Sequence, residues 1–267
     1  MSMTRNVWLN THALQRTALD SARLGVLGTI VHPLPDKGQF EVTVLAGDSR
    51  IASVPLRIDP DDATTQVDID LAALDPGRRI GSRAASGGEA VVGPKGYLVV
   101  TVSEGAGEYR VVLTAPGSRD RKPAFDSRAL QPGDLFVAML LRPGSYELSG
   151  DGVRATGTLR VAYPGSGKER LADLEAARVR VTEKGFEPQA TRVHAGQGTV
   201  FEVAARDVSV RVTLQEPDDG PDAGKPTPRR HHWVKPGGGD VGNGPTGGSG
   251  RDAGRTSGRN TGRGGAK

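Results

Sequence analysis

Cysteine is absent from all 267 residues of the chain. That excludes a disulfide, a thiolate metal site, an iron–sulfur cluster and a cysteine nucleophile. Aromatic residues supply only 4% of the sequence, so the core is expected to rely on Val, Leu and Ala. No apolar run approaches the ~20 residues that a membrane-spanning helix requires. Met1–Asn10 lacks the charged-then-apolar pattern of a signal peptide, and the apolar stretch Leu24–Val31 is too short and too late for one. A cytoplasmic address is the expectation.

Glycine and proline are plentiful, at 38 and 18 residues, about a fifth of the chain. Many turns and at least one disordered segment follow from that composition. The net charge of +4 is unevenly placed. From Lys225 onward, nine basic residues stand against Asp240 and Asp252, so the last 43 positions carry +7 and the first 224 carry −3. The basic character belongs to the tail.

Residues 11–23 place Leu14, Ala18 and Ala22 at four-residue spacing beside Leu19, which predicts a short amphipathic helix with Thr11 as N-cap. Period-two alternation follows in Phe40–Val44, Ile51–Ile58 and Val67–Leu71. Pro55 cannot donate to a ladder, so the second run is expected at an edge. Asp75–Gly93, rich in Gly, Arg and Ser, reads as an internal loop. Further strands are expected at Tyr97–Val102, Tyr109–Thr114, Leu135–Leu141, Ser145–Leu148, Thr158–Val161, Val179–Thr182, Thr199–Val203 and Val208–Leu214. Lys168–Arg178 predicts a linker helix with Leu171 and Leu174 in its apolar stripe. Short strands separated by Gly/Pro turns point to an all-β fold, an antiparallel β-sandwich or barrel. Residues 216–267 form a Gly/Arg-rich tail with Val234 and Val241 as the only Val, Ile or Leu after residue 216. Such a segment cannot bury enough surface to offset ordering entropy and is expected to be disordered.

Two blocks of the body carry a family resemblance. Gly185-Phe186-Glu187-Pro188 precedes a strand, and Ala195-Gly196-Gln197 leads into Thr199-Val200-Phe201-Glu202-Val203. Earlier in the chain, Leu130-Gln131-Pro132-Gly133-Asp134 is followed by Arg142-Pro143-Gly144-Ser145-Tyr146 and Gly157-Thr158-Leu159-Arg160-Val161. Together they resemble the cupredoxin-like β-sandwich of the plastocyanin and azurin type. The resemblance implies copper ligands in two places, after the Val-Phe-x-Val strand and between the Tyr strand and the Gly-x-Leu-x-Val strand. Asp207–Val212 and Ser149–Thr156 contain no Cys, His or Met. A type-1 site needs two His and a Cys thiolate, so no such site is expected. The closing half precedes the opening half, which leaves two arrangements open. One is a single permuted or enlarged sandwich. The other, which is the expectation, is an N-terminal segment (1–23), an Ig-like domain (24–93) and a cupredoxin-like domain (94–215) containing linker helix 168–178.

Catalytic motifs fall short at defined positions. A phosphate-binding loop around Gly165–Lys168 would need Gly at 162 and Ser or Thr at 169, where the chain has Ala162 and Glu169. No Gly-x-Ser-x-Gly elbow follows a strand. His231 and His232 are weak metal candidates, because adjacent imidazoles in a flexible tail lack a defined ligand set. The tail repeats RDAG-RTSG-RNTG-RGGA-K, with Gly before Arg251, Arg255, Arg259 and Arg263. With Arg229, Arg230, Lys235 and Lys267 these residues suit salt-dependent, sequence-blind contact with nucleic acid or another polyanion, since guanidinium pairs with phosphate.

The expectation is therefore a non-catalytic β-sandwich binding or structural protein without a cofactor, acting through protein–protein contacts. Its contact surface is expected at an exposed sheet edge or at the turns Gly150-Asp151-Gly152 and Gly185-Phe186. Polyanion binding through the tail is the first alternative. Metal binding at a site other than blue copper is the second.

Overall fold

The computed structural model describes residues 11–74, 88–105, 107–117, 123–163 and 174–218. Among them the fold is all-β, with two helices of five and four residues. Three sheets carry the seventeen strands. The first is built from β1 (Ala18–Asp20), β11 (Gly144–Ser149), β12 (Gly157–Ala162), β15 (Ala190–His194) and β17 (Arg211–Pro217), in the order β1-β17-β11-β12-β15. A second comprises β3 (Gly38–Ala46), β4 (Ser49–Ile58), β6 (Ala90–Val92), β8 (Tyr109–Thr114) and β9 (Phe125–Asp126), in the order β6-β4-β3-β8-β9.

The third sheet has seven strands. Its members are β2 (Gly28–Pro33), β5 (Gln66–Asp70), β7 (Tyr97–Thr101), β10 (Leu135–Met139), β13 (Ala177–Val181), β14 (Phe186–Glu187) and β16 (Gly198–Val203). They run in the order β14-β13-β16-β10-β2-β7-β5. Pairing crosses position 93/94 repeatedly: β2 with β7 and β10, β5 with β7, and β3 with β8. The described residues belong to one compact unit.

The alternating runs fold as their periodicity predicts, and several expectations are corrected. The sheets are mixed, with parallel pairs β4/β6, β5/β7, β12/β15 and β13/β16. The N-terminal helix, α1, covers only Thr11–Gln15. Leu14 lies exposed, while Leu19 is buried in β1 opposite Val212; pairing with β17 overrides the four-residue spacing. The linker helix expected at 168–178 is corrected at its C-terminal end: Ala177 and Arg178 belong to β13, parallel to β16. The Arg-Val-Arg-Val alternation and β-branched content of 178–181 favour the strand. Residues 168–173 of that expected helix, 75–87 of the expected loop, and the tail beyond 218 with all its candidate residues lie outside the described residues. Ala90–Val92 of the expected loop form β6, and Glu216 and Pro217 of the expected tail extend β17 against β11.

The run Ile51–Ile58 is not an edge strand, since β4 lies between β6 and β3, but Pro55 falls in the part of it that β6 leaves uncovered. Pro55 faces Glu41 of β3, and β6 pairs only with Leu56–Ile58, so the proline nitrogen looks out from the sheet. Six of the nine described aromatics (Phe, Tyr) are spent inside. Phe125, Phe136, Phe186 and Phe201 are buried, as are Tyr109 and Tyr146. Tyr146 donates its hydroxyl to the carbonyl of Arg142 at 2.7 Å, and burial pushes its pKa up.

The second sheet closes on an ion pair. Arg110 of β8 donates Nε to Asp126 Oδ1 at 3.0 Å and a second N–H to Oδ2 at 2.5 Å, while Arg128 N donates to Oδ1 at 3.0 Å. Burial alone raises the Asp126 pKa, but these bonds outweigh it and hold the carboxyl below its ordinary value. The stabilisation is thus complete above about pH 3.9, the ordinary carboxylate value, and is lost as pH falls through the lower folded value. Asp126→Asn is therefore expected to destabilise the protein at neutral pH, with the gap from wild type closing in acid. Urea midpoints measured from neutral to acidic pH check this; a gap that stays constant would refute it.

Candidate protein interface

In an antiparallel sheet with one wet face, apolar residues alternate with polar ones. The centre of the seven-stranded sheet does not follow that rule. Its inner side carries Ile30, Leu98, Val100, Phe136, Ala138, Val179, Val181 and Phe201, all buried. The side chains between them point the other way. On that outer face, Leu135 stands beside Val31, Val31 beside Val99, and Val137 beside Val200. Tyr97 and Met139 lie on the same face, 46% and 39% exposed. They are two of the four exposed large apolar residues among those described.

Charge brackets this apolar centre. Arg178 and Arg180 of β13 sit next to Val200 and Glu202 of β16. At the far side, Asp68 and Asp70 of β5 sit next to Val99 and Thr101 of β7. Arg178 donates to Glu202 Oε1 at 2.6 Å, an exposed pair of small energetic value. Asp68 accepts from Gln66 Nε2 at 2.7 Å, and Asp70 accepts from the backbone N–H groups of Ala72 and Ser103. Beside Leu135 a cavity of about 350 Å³ opens between Arg180, Glu202 and Ala204.

The sequence carried a signal for this surface that alternation alone passes over. Leu135–Met139 reads LFVAM and Tyr97–Thr101 reads YLVVT, apolar at both parities. Such continuous runs belong to strands covered on both faces. By contrast ARVRV in β13 alternates cleanly.

The two turns expected to make contacts are each anchored to the body. Phe186 is buried edge-on against Phe201, their ring centroids 6.4 Å apart. Gly150-Asp151-Gly152 is fastened to the segment before β17. Asp151 N donates to Ser209 Oγ at 2.9 Å, Ser209 N to Asp151 O at 3.1 Å, and Ser209 Oγ to Asp151 Oδ2 at 3.2 Å. These are the two loops on which the family resemblance would place copper ligands, and they lie against each other. Their donors are hydroxyl and carboxylate oxygens, which do not suit type-1 copper. A Cβ at residue 150 would come within 1.8 Å of the Ser209 carbonyl oxygen. Gly150→Ala is accordingly expected to cost about 1–3 kcal/mol, the usual range for overpacking. A thermal or urea midpoint indistinguishable from wild type would contradict that.

Two further cavities, of about 400 and 410 Å³, share Asp20, Arg23 and Arg211. Their four guanidinium groups, Arg16, Arg23, Arg128 and Arg211, face three carboxylates, Asp20, Glu108 and Asp151. Arg211 is bonded to Asp20 at 3.0 Å, which raises its pKa. With charge so nearly balanced, these cavities make no strong demand for an anion. Among the described residues no group of three or more His, Asp or Glu is placed to hold a metal ion, and no helix is long and apolar enough to cross a membrane. No family model, no curated protein and no solved structure matches this chain.

Proposed function

We propose that this is a non-catalytic binding or scaffold protein that works through protein–protein contact at the outer face of the seven-stranded sheet. The observation that carries the reading is the apolar centre of that face, from Val200 through Val137, Leu135 and Val31 to Val99, with charged residues at its rim. A contiguous apolar patch with a polar border is the signature of an interaction site. The reading includes a cupredoxin-like sandwich for the C-terminal strands, in which β1-β17-β11-β12-β15 faces β14-β13-β16-β10. Its support is a shared core of Tyr146, Leu148, Leu159 and Val212 with Phe136, Val179 and Phe201, and the meeting of the Asp151 and Ser209 loops.

Val137 projects from the middle of the patch, so Val137→Glu tests the reading with little risk to the core. The full chain bearing this change should keep its far-UV circular dichroism and its melting temperature. It should lose association, read by sedimentation of the purified protein and by cross-linked capture from host extract. Unchanged association in both measurements would sink the reading.

A further inference from the structure

The identity of the partner follows from how charge is laid out on the face, and this step rests on the reading above. We propose that the partner is a second copy of this chain, stacked face to face on the seven-stranded sheet about a two-fold axis parallel to the strands.

Register defines two rows across the outer face. In one, Arg180, Glu202, Leu135, Val31, Val99 and Asp68 occupy successive strands from β13 to β5. The neighbouring row runs Arg178, Val200, Val137, Thr29, Thr101 and Asp70. Both rows begin with a cation and end with an anion; between them the first has Leu135, Val31 and Val99 beside Glu202, and the second has Val200 and Val137 beside Thr29 and Thr101. A two-fold axis running along the strands between β10 and β2 reverses the strand order and leaves each row in place. It sets Arg180 of one copy over Asp68 of the other, Arg178 over Asp70, and Leu135 over Val31. Symmetry repeats each contact, as an isologous interface requires. An axis running across the strands would instead stack Arg180 on Arg180 and Asp68 on Asp68, and like charges so placed repel. Charge therefore selects one orientation. Glu202, which falls on the apolar part of the partner's row, keeps the 2.6 Å bond to Arg178 of its own chain.

The dimensions are adequate. Six overlapping strands about 4.8 Å apart and five residues at about 3.4 Å each give a face of roughly 30 by 15 Å. Side-chain relief included, two such faces remove on the order of 1,000 Å² from water, the lower bound for a specific interface. Face-to-face packing with aligned strands is also how two twisted sheets ordinarily close on each other.

The test uses the full chain and two charge reversals, Arg180→Glu and Asp68→Arg, examined by sedimentation over a wide range of concentration. Wild type is expected to dimerise. Each variant alone brings like charges together at both ends of the interface and should dimerise on the order of a hundredfold more weakly. Mixed in equal amounts, the two variants should recover the dimer. One end of the mixed pair then sets the introduced glutamate against the introduced arginine, and the other sets the native Arg180 against the native Asp68. A wild-type chain that stays monomeric overturns the proposal, as does a dimer indifferent to both reversals or a mixture that fails to recover. Should wild type be monomeric while Val137→Glu still abolishes capture of a host protein, the self-association falls and the contact-surface reading stands. If Val137→Glu alters neither, both fall.

Discussion

Phe201→Ala is expected to cost about 3–5 kcal/mol, the range for a fully buried phenylalanine cut back to alanine. Phe201 has no exposure, and it is the hub of the aromatic cluster. Its ring lies 5.9 Å from that of Phe136, stacked, and 6.4 Å from that of Phe186, edge-on. Phe136 belongs to the neighbouring strand β10 and Phe186 to the edge strand β14. Truncation would thus open a void beneath three strands at once, and rigid β-sheet backbone offers little scope for collapse into it. Phe201→Leu, which refills most of the space, should recover more than half of the loss. Equilibrium urea unfolding measures both changes. A loss below about 1 kcal/mol for the alanine variant, well under that range, would show that the cluster does not hold the sheet together.

Asp134→Ala should also be damaging, at about 2–6 kcal/mol, because it orphans two donors held against a buried carboxylate, at about 1–3 kcal/mol each. The carboxylate is fully buried just before β10. It accepts His32 Nδ1 at 2.7 Å on one oxygen and Gln131 N at 2.7 Å on the other. His32 lies in the neighbouring strand β2, its ring 4.5 Å from that of Phe125 and only 8% exposed. Removing the carboxylate would leave two donors without an acceptor in a dry site, and that desolvation cost exceeds the ordinary value of a hydrogen bond. The backbone of the same loop is held too, with Val203 N donating to Asp134 O and Gly133 N to Val203 O, each at 3.0 Å. The damage should therefore reach both neighbours of β10. Asp134→Asn keeps acceptor capacity for Gln131 and should recover part of the loss. If the alanine and asparagine variants unfold at the wild-type urea concentration, the pair is not a structural joint.

The elements legible from sequence are those whose information is local. Phe40–Val44, Tyr109–Thr114 and Thr158–Val161 alternate with period two, and each lies within a strand whose burial alternates to match. Strands whose existence depends on a distant partner are not legible in this way. β1 is three residues long and forms against β17 at the other end of the folded region. β15 adds to β12 in parallel, across a long connection. Local spacing favours a helix at residues 177–178, yet they pair with β16. Pairing energy from far along the chain outweighs weak local preference in such segments.

The candidate surface divides in the same manner. Continuous apolar runs such as LFVAM state that both faces of certain strands need cover. They do not state which strands lie side by side, so Leu135, Val31 and Val99 have no common address until register joins them. Nor do they show Arg180 and Asp68 at opposite ends of one row, since those residues are 112 positions apart in sequence.

By itself, then, the sequence determined an all-β body without cysteine chemistry, the positions of its alternating strands, and a tail whose positive charge is separate from the mildly acidic remainder. Those properties depend on composition and on neighbours within a few residues. Tertiary structure decided the mixed pairing, the aromatic cluster at Phe201, the His32–Asp134 joint and the charge-bracketed apolar face. Each of these brings together residues remote in the chain, and sheet register, a property of non-local hydrogen bonding, alone sets which side chains share a face.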